Sequence, residues 1–250
     1  YEYIIYEVLK GYNDLFLLKK PSLNNDKFGQ LSLINQAFQY CYLNQPEAGS
    51  VFMNIINSNQ GDYSRYLFFH FNNLIKNKDF ESVQQISKTI NILESSLLIQ
   101  QSKRWLDESN YSKFGQIFSC YNEEDILAEF FFLIANFLSA DENFTKLYFY
   151  SNISNYLNPK FYLNSTHLIS NYIQNKKYEK TKELLKNFNK EDEIYYWYKL
   201  KKIAQIIDDE EGSKQSLFFI EKKFKEYSNP SIKIIYDMAN IYKRNKEFEK

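Results

Sequence analysis

Glycine and proline are scarce, with six and four in 250 residues. Strand-rich folds draw heavily on both for their turns, so this scarcity argues against sheets and for helices joined by short, ordinary turns. Cysteine is scarcer still: Cys41 and Cys120 lie far apart, with no second Cys or His beside either. That spacing excludes a zinc motif and indicates no disulfide framework. Each thiol is expected to be a free, small, buried hydrophobe in a helical apolar pattern. Neither sign of charge is in surplus, since Lys plus Arg and Asp plus Glu each total 31. A chain that coats phosphate backbones or anionic membranes needs an excess of positive charge, so neither nucleic acid nor a membrane surface is the expected partner. Long apolar runs are absent too. The most apolar stretch, Ile126 to Ala140, carries Glu129 and Asn136 and is too short to cross a bilayer. No leader is visible, yet the chain opens on Tyr1 rather than Met. A leader could have been removed, and the compartment stays open between bacterial cytoplasm and periplasm.

The motifs of catalysis are missing as well. The glycines form neither GxGxxG nor GxxxxGK, so no nucleotide cofactor is expected. His70 and His167 have no acidic or thiol partner four residues on, and packing is the expected role of each. The acidic runs 122–125 and 208–211 look like paired carboxylates or a cation site, but each falls where a turn or helix start is expected. There carboxylates favour the N-terminal helix dipole. The reading is therefore of a chain without catalytic, metal or cofactor residues, and not an enzyme.

What is present is ordered and aromatic. Hydrophobic residues make up 44% and charged residues 25%, the balance of a folded globular chain. The 22 Tyr and 22 Phe come with abundant Asn, Lys and Ile, as codon bias in an AT-rich genome produces. Trp105 and Trp197 fall on apolar helix faces and read as packing between repeats. In YYWYKLKK, residues 195–202, Tyr195 and Tyr198 are expected to pack while Tyr196 and the lysines face water; stacking of single-stranded bases is the other reading of that run.

The chain also repeats itself. NYIQNKKYEK at 171–180 aligns without gaps with the closing NIYKRNKEFEK, so that Tyr178 matches Phe248 at an offset of 70 residues. LIKNKDFES at 74–82 places Phe80 at the same point. Looser copies put anchors near 47, 111 and 144, with a further turn expected at DDEEGS, 208–213. Backward extrapolation gives a turn at Gly11-Tyr12-Asn13. A period near 34 residues is that of helix-turn-helix arrays, in which each unit must stack on its neighbours to bury its apolar face. In the unit around Tyr178, a helix is expected from Leu163 to Asn175, a turn at Asn175 to Lys177, and a second helix from Tyr178 to Phe188. In the last unit the expected apolar stripe is Ile235, Met238, Ala239 and Tyr242.

These units resemble the tetratricopeptide repeat, with Ile235, Met238, Ala239 and Tyr242 on its signature positions, Leu168 and Tyr172 in the unit anchored on Tyr178, and Ile134 with Ala135 further upstream. Asn158-Pro-Lys-Phe161, the span from Asp192 to Gln205 and the ending NIYKRNKEFEK resemble the second half of long proteobacterial members of that class. The resemblance implies an all-α fold, a right-handed α-solenoid of about seven antiparallel helix pairs. Residues 1–45 would be a degenerate N-terminal repeat region and 46–250 the array, its last repeat cut short. It also implies a concave groove that binds a peptide or helix of a partner protein. The positions lining that groove are Arg65, Phe68, Asn72, Lys76, Phe132, Asn136, Thr166, Ser170, Gln174, Lys233, Tyr236, Asn240 and Arg244. Asn72, Asn136 and Asn240 share one position, where an amide can donate and accept at once; polar residues that merely tolerate a wet groove are the plainer reading. Function is thus expected to be that of a protein-binding scaffold. The alternatives are an RNA-binding helical repeat, the regulatory or substrate-presenting arm of a larger enzyme, or a peptide receptor joined to a DNA-binding segment.

Overall fold

A computed structural model describes residues 2–17, 29–58, 65–140 and 144–247. Among these the fold is all-α, with fourteen α-helices and no strand. The helices are α1 Glu2–Phe16, α2 Gln30–Tyr42, α3 Glu47–Asn57, α4 Tyr66–Lys76, α5 Phe80–Lys88, α6 Leu97–Asp107 and α7 Ser112–Ile117. There follow α8 Glu123–Ala140, α9 Phe144–Leu157, a 3-10 turn at Tyr162–Ser165, α10 Thr166–Gln174, α11 Tyr178–Leu185, α12 Glu193–Glu211, α13 Ser213–Phe224 and α14 Ile232–Arg244. Each sequence anchor from 47 to 178 marks the start of a second helix, and of the turn expected at 208–213 only Gly212 lies between α12 and α13. The anchor at Phe248 and the polar stretch 141–143 lie outside the described residues.

The recurrence has a backbone cause. Asn44, Lys78, Ser109, Lys176 and Lys246 all adopt positive φ, between 54° and 60°. In every case the N–H of that residue donates three residues back and the next N–H donates five back. At Lys176 and Lys177 these bonds reach Ile173 O at 2.9 Å and Tyr172 O at 2.7 Å. This is a left-handed helix stop that satisfies two orphan carbonyls and turns the chain, and it is used five times over. A side chain at such a site is strained by about 1–2 kcal/mol where glycine is not. Lys176→Gly is therefore expected to raise stability by about 0.5–1 kcal/mol, while Lys180→Gly, inside α11, lowers it by about 1 kcal/mol. Urea midpoints of the two variants check this, and a loss in Lys176→Gly would contradict the turn.

The hairpins do not form a strict one-dimensional stack, in which each unit meets only its neighbours. Phe68 of α4 lies 5.3 Å from Phe114 of α7 and 5.4 Å from Phe161, which follows α9. Tyr12 of α1 meets Phe130 of α8, and α6 packs directly on α12. One aromatic core thus runs from α1 to α12. A smaller core of Trp197, Leu200, Ile220, Ile234 and Met238 joins α12, α13 and α14.

Four expectations are corrected. Cys41 and Cys120 are not free thiols: they form a disulfide, with Cα atoms 5.7 Å apart across a sequence separation of 79. Fold topology brings together what spacing kept apart. Gly11-Tyr12-Asn13 is no turn but the interior of α1, with Tyr12 buried and donating to Asn35 at 2.7 Å. The run 208–211 is the last turn of α12 rather than a helix start; Asp208 accepts from Ser213 and Asp209 from Tyr178. In α14 the buried stripe is shifted by one residue, with Ile234 inside and Ile235 50% exposed. By contrast, Asn122-Glu-Glu-Asp125 does begin α8, and Asp125 takes the Ser119 N–H at 2.8 Å.

Both histidines pack at helix interfaces. Burial pushes His70 and His167 down to about 4, with the Arg65 charge adding to the effect at His167. The unfolded chain takes up these protons near pH 6.5 and the fold resists them. Stability is therefore full above that pH and falls as pH drops toward 4, by about 1.4 kcal/mol per histidine at pH 5.5. Urea unfolding at neutral pH and at pH 5.5 measures the loss, which His70→Gln or His167→Gln should each reduce by about half. The comparison between variants matters because Glu129, raised by burial, titrates in the opposite sense.

Candidate binding clefts

The groove positions read from the sequence divide by burial. Phe68 is fully buried and Phe132 is 8% exposed. Arg65 lies beneath the surface: its Nε donates to Glu129 Oε1 at 2.8 Å and one terminal nitrogen to Glu129 Oε2 and Asn164 Oδ1, both at 2.6 Å. The Phe132 and Phe161 rings flank its guanidinium at 4.1 and 4.8 Å. Asn72 donates to Phe114 O and Phe118 O, closing the end of α7. These four side chains make their contacts with the interior of the fold. Lys76, Asn136 and Gln174 are exposed and Ser170 half-buried, on separate helices. Tyr236, Asn240 and Arg244 lie on α14, and Arg244 borders a cleft.

That cleft, about 680 Å³, opens between α12, α13 and α14. Its floor is apolar, from Ala204, Leu217, Ile220 and Ile241, and its rim carries Lys201, Lys202, Gln205, Asp208, Arg244 and Asn245. Ser216 donates to Ala204 O at 2.7 Å, where α12 and α13 cross. Burial, then the neighbouring Lys201, holds Lys202 below the usual lysine range. It donates to Gln205 at 3.2 Å and forms no ion pair among the described residues. Lys201 is engaged: its ammonium meets Asp237 at 2.5 Å, with Lys233 at 2.9 Å on the other carboxylate oxygen. Reading the 199–202 lysines as a solvated face missed this cleft, because a helical pattern does not show which neighbour leaves a gap.

A second cavity, about 390 Å³, lies between Trp105 of α6, α7, the turn after α9 and the start of α12. Here Asp192 Oδ1 accepts the Trp105 indole N–H at 2.8 Å and sits 3.3 Å from Lys113. The same device recurs one helix on, where the Trp197 indole donates to Asp237 at 3.1 Å. The N–H groups of Ile194 and Tyr195 at the start of α12 are taken by Gln101 Oε1 from α6, at 2.9 and 3.1 Å. Two tryptophan–aspartate pairs therefore clamp α6 to α12 and α12 to α14, and the first of them lines the second cavity. Among the described residues no cluster of His, Cys, Asp and Glu is arranged to hold a metal, and no helix is long and apolar enough to cross a membrane.

Comparison with known proteins returned no matching family model, no matching curated protein and no matching solved structure.

Proposed function

We propose that this chain is a non-enzymatic protein-interaction scaffold of tetratricopeptide type, taking a peptide or helix of a partner in the cleft between α12, α13 and α14. The observation that carries this reading is the cleft itself: a preformed apolar floor rimmed by Lys202, Arg244 and side-chain amides. Such a surface gives several weak anchors at little cost in reorganisation. It deepens the sequence reading by moving the contact from the first helices of the whole array to its C-terminal end, where Arg244 remains from the original set. Peptides selected from a displayed random library against the intact chain test it. The expected result is at least a tenfold loss of affinity in Lys202→Glu/Arg244→Glu, with Asn136→Ala unchanged. Equal binding by the charge-reversed variant overturns the site, and salt-steep binding of single-stranded RNA in its place would favour the nucleic-acid reading.

The Cys41–Cys120 bond supports an oxidising compartment, which for a bacterial chain is the periplasm rather than the cytoplasm. Alkylation of free thiols in intact cells before lysis, followed by non-reducing electrophoresis, tests this. Two alkylated cysteines per chain would place the protein in the cytoplasm.

A further inference from the structure

The cleft between α12, α13 and α14 carries a charge pattern that selects among partners, an inference that rests on the scaffold reading above. Three cations and a single carboxylate line it: Lys201, Lys202, Arg244 and Asp208. Two of the four are engaged, since Lys201 holds Asp237 at 2.5 Å and Asp208 takes the Ser213 hydroxyl at 2.6 Å. Lys202 of α12 and Arg244 of α14 form no ion pair among the described residues. Lys202 is half-buried; its Nζ donates to Gln205 at 3.2 Å and lies 5.6 Å from the centre of the Tyr198 ring, which lines the same cleft. Arg244 is exposed. The same three helices supply the apolar floor, with Ala204 from α12, Leu217 and Ile220 from α13 and Ile241 from α14. One open cation thus stands on each of two helices around a shared apolar surface.

We propose that the partner segment taken by this cleft is acidic: a peptide with carboxylate side chains on both sides of a large apolar residue, the carboxylates meeting Lys202 and Arg244 and the apolar side chain resting on the floor. Burial of that side chain supplies affinity, and the two charges set direction and reject basic segments. Lys202 is the stronger of the two anchors. Burial, then Lys201, holds its ammonium below the usual lysine range, so an incoming carboxylate replaces an interaction that water supplies poorly there. A nucleic-acid backbone fits less well, because it calls for a run of unopposed cations and here Asp208 shares the rim with two. The cleft, at about 680 Å³, has room for one large side chain and its neighbours.

The probes are peptides selected from a displayed random library against the intact chain, synthesised with both ends capped so that side chains alone carry charge. Gln205→Trp enlarges an exposed rim residue and obstructs the cleft while both cations remain. Peptides that lose at least tenfold in this variant occupy the cleft, whatever their charge. Those peptides are expected to carry Asp or Glu on each side of Leu, Ile, Phe or Trp. Lys202→Met and Arg244→Met keep an unbranched stem and remove the charge, and each should weaken an acidic peptide by about tenfold. The loss should vanish when the peptide acid facing that cation has already been changed to its amide. Cleft-bound peptides that are neutral or basic, or acidic ones indifferent to both Met variants, would overturn the acidic partner and leave the cleft as a binding site. Peptides indifferent to Gln205→Trp, or none selected at all, would remove the cleft reading and this partner with it. Displacement of a bound acidic peptide by single-stranded RNA would overturn the peptide in favour of nucleic acid.

Discussion

Arg65→Met is expected to lower the stability of the fold by about 3–5 kcal/mol, although Arg65 reads from the sequence as a groove residue. Glu129 is wholly buried, and Arg65 supplies its two closest donors, so removing the guanidinium strands a carboxylate in the core. The same change loses the Asn164 bond and the stacking on Phe132 and Phe161. Burial already raises the Glu129 carboxyl against the opposing pull of Arg65, so the variant should hold its proton to higher pH still. A raised carboxyl pKa means that the folded state keeps a proton the unfolded chain has lost. Stability then falls as pH rises above about 4.5, and the deficit of Arg65→Met relative to the parent should be larger at pH 8 than at pH 5. Adding Glu129→Leu should recover most of the loss, since an apolar pair replaces a broken ion pair at little cost. Urea unfolding followed by circular dichroism at the two pH values measures all of this. A loss under 1 kcal/mol in the single variant would show that Arg65 is free to serve a partner after all.

Cys41→Ala/Cys120→Ala should cost about 4 kcal/mol. The bridge closes a loop with a sequence separation of 79, and restricting so long a segment of the unfolded chain is worth roughly that much in the chain-entropy account. Both cysteines are buried, so the bond should resist mild reductant while the chain is folded and yield once urea opens the core. Mass spectrometry of the alkylated chain, with and without urea, and the shift in the urea midpoint are the two measurements. Equal stability of the bridged and reduced chains would mean that the α2 to α7–α8 contact holds without the bond. Around it, Tyr42 donates to Glu123 at 3.1 Å and Tyr121 to Asn44 at 2.7 Å, so neighbouring polar contacts tie the same surfaces.

The periodic part of the sequence was legible because its cause is local. Asn175-Lys176-Lys177 and Asn77-Lys78-Asp79 stop a helix by hydrogen bonds that reach no more than five residues back, and the aromatic after each begins the next helix. Apolar stripes on α6 and α12 likewise marked Trp105 and Trp197 as buried. The groove was less legible. Arg65, Phe68 and Asn72 occupy positions that a regular stack leaves open, and here α7, α8 and the Asn158–Ser165 segment cover them. Asn158 is the clearest agent of that covering: it stops α9, accepts from Phe161 N–H and donates to Ile117 O. No spacing rule connects residue 158 to residue 117.

By itself the sequence determined that this protein is helical, where the hairpins from α2 to α11 turn and that Trp105 and Trp197 are buried, since these follow from backbone stops and from apolar residues recurring with the helical period. Only the tertiary structure decided that Cys41 meets Cys120, that Glu129 meets Arg65, and that open space is left beside Lys202 and Tyr195. Each of those depends on how hairpins far apart in the chain are oriented, and that orientation is set by the summed packing of many rings, not by the spacing of any two residues.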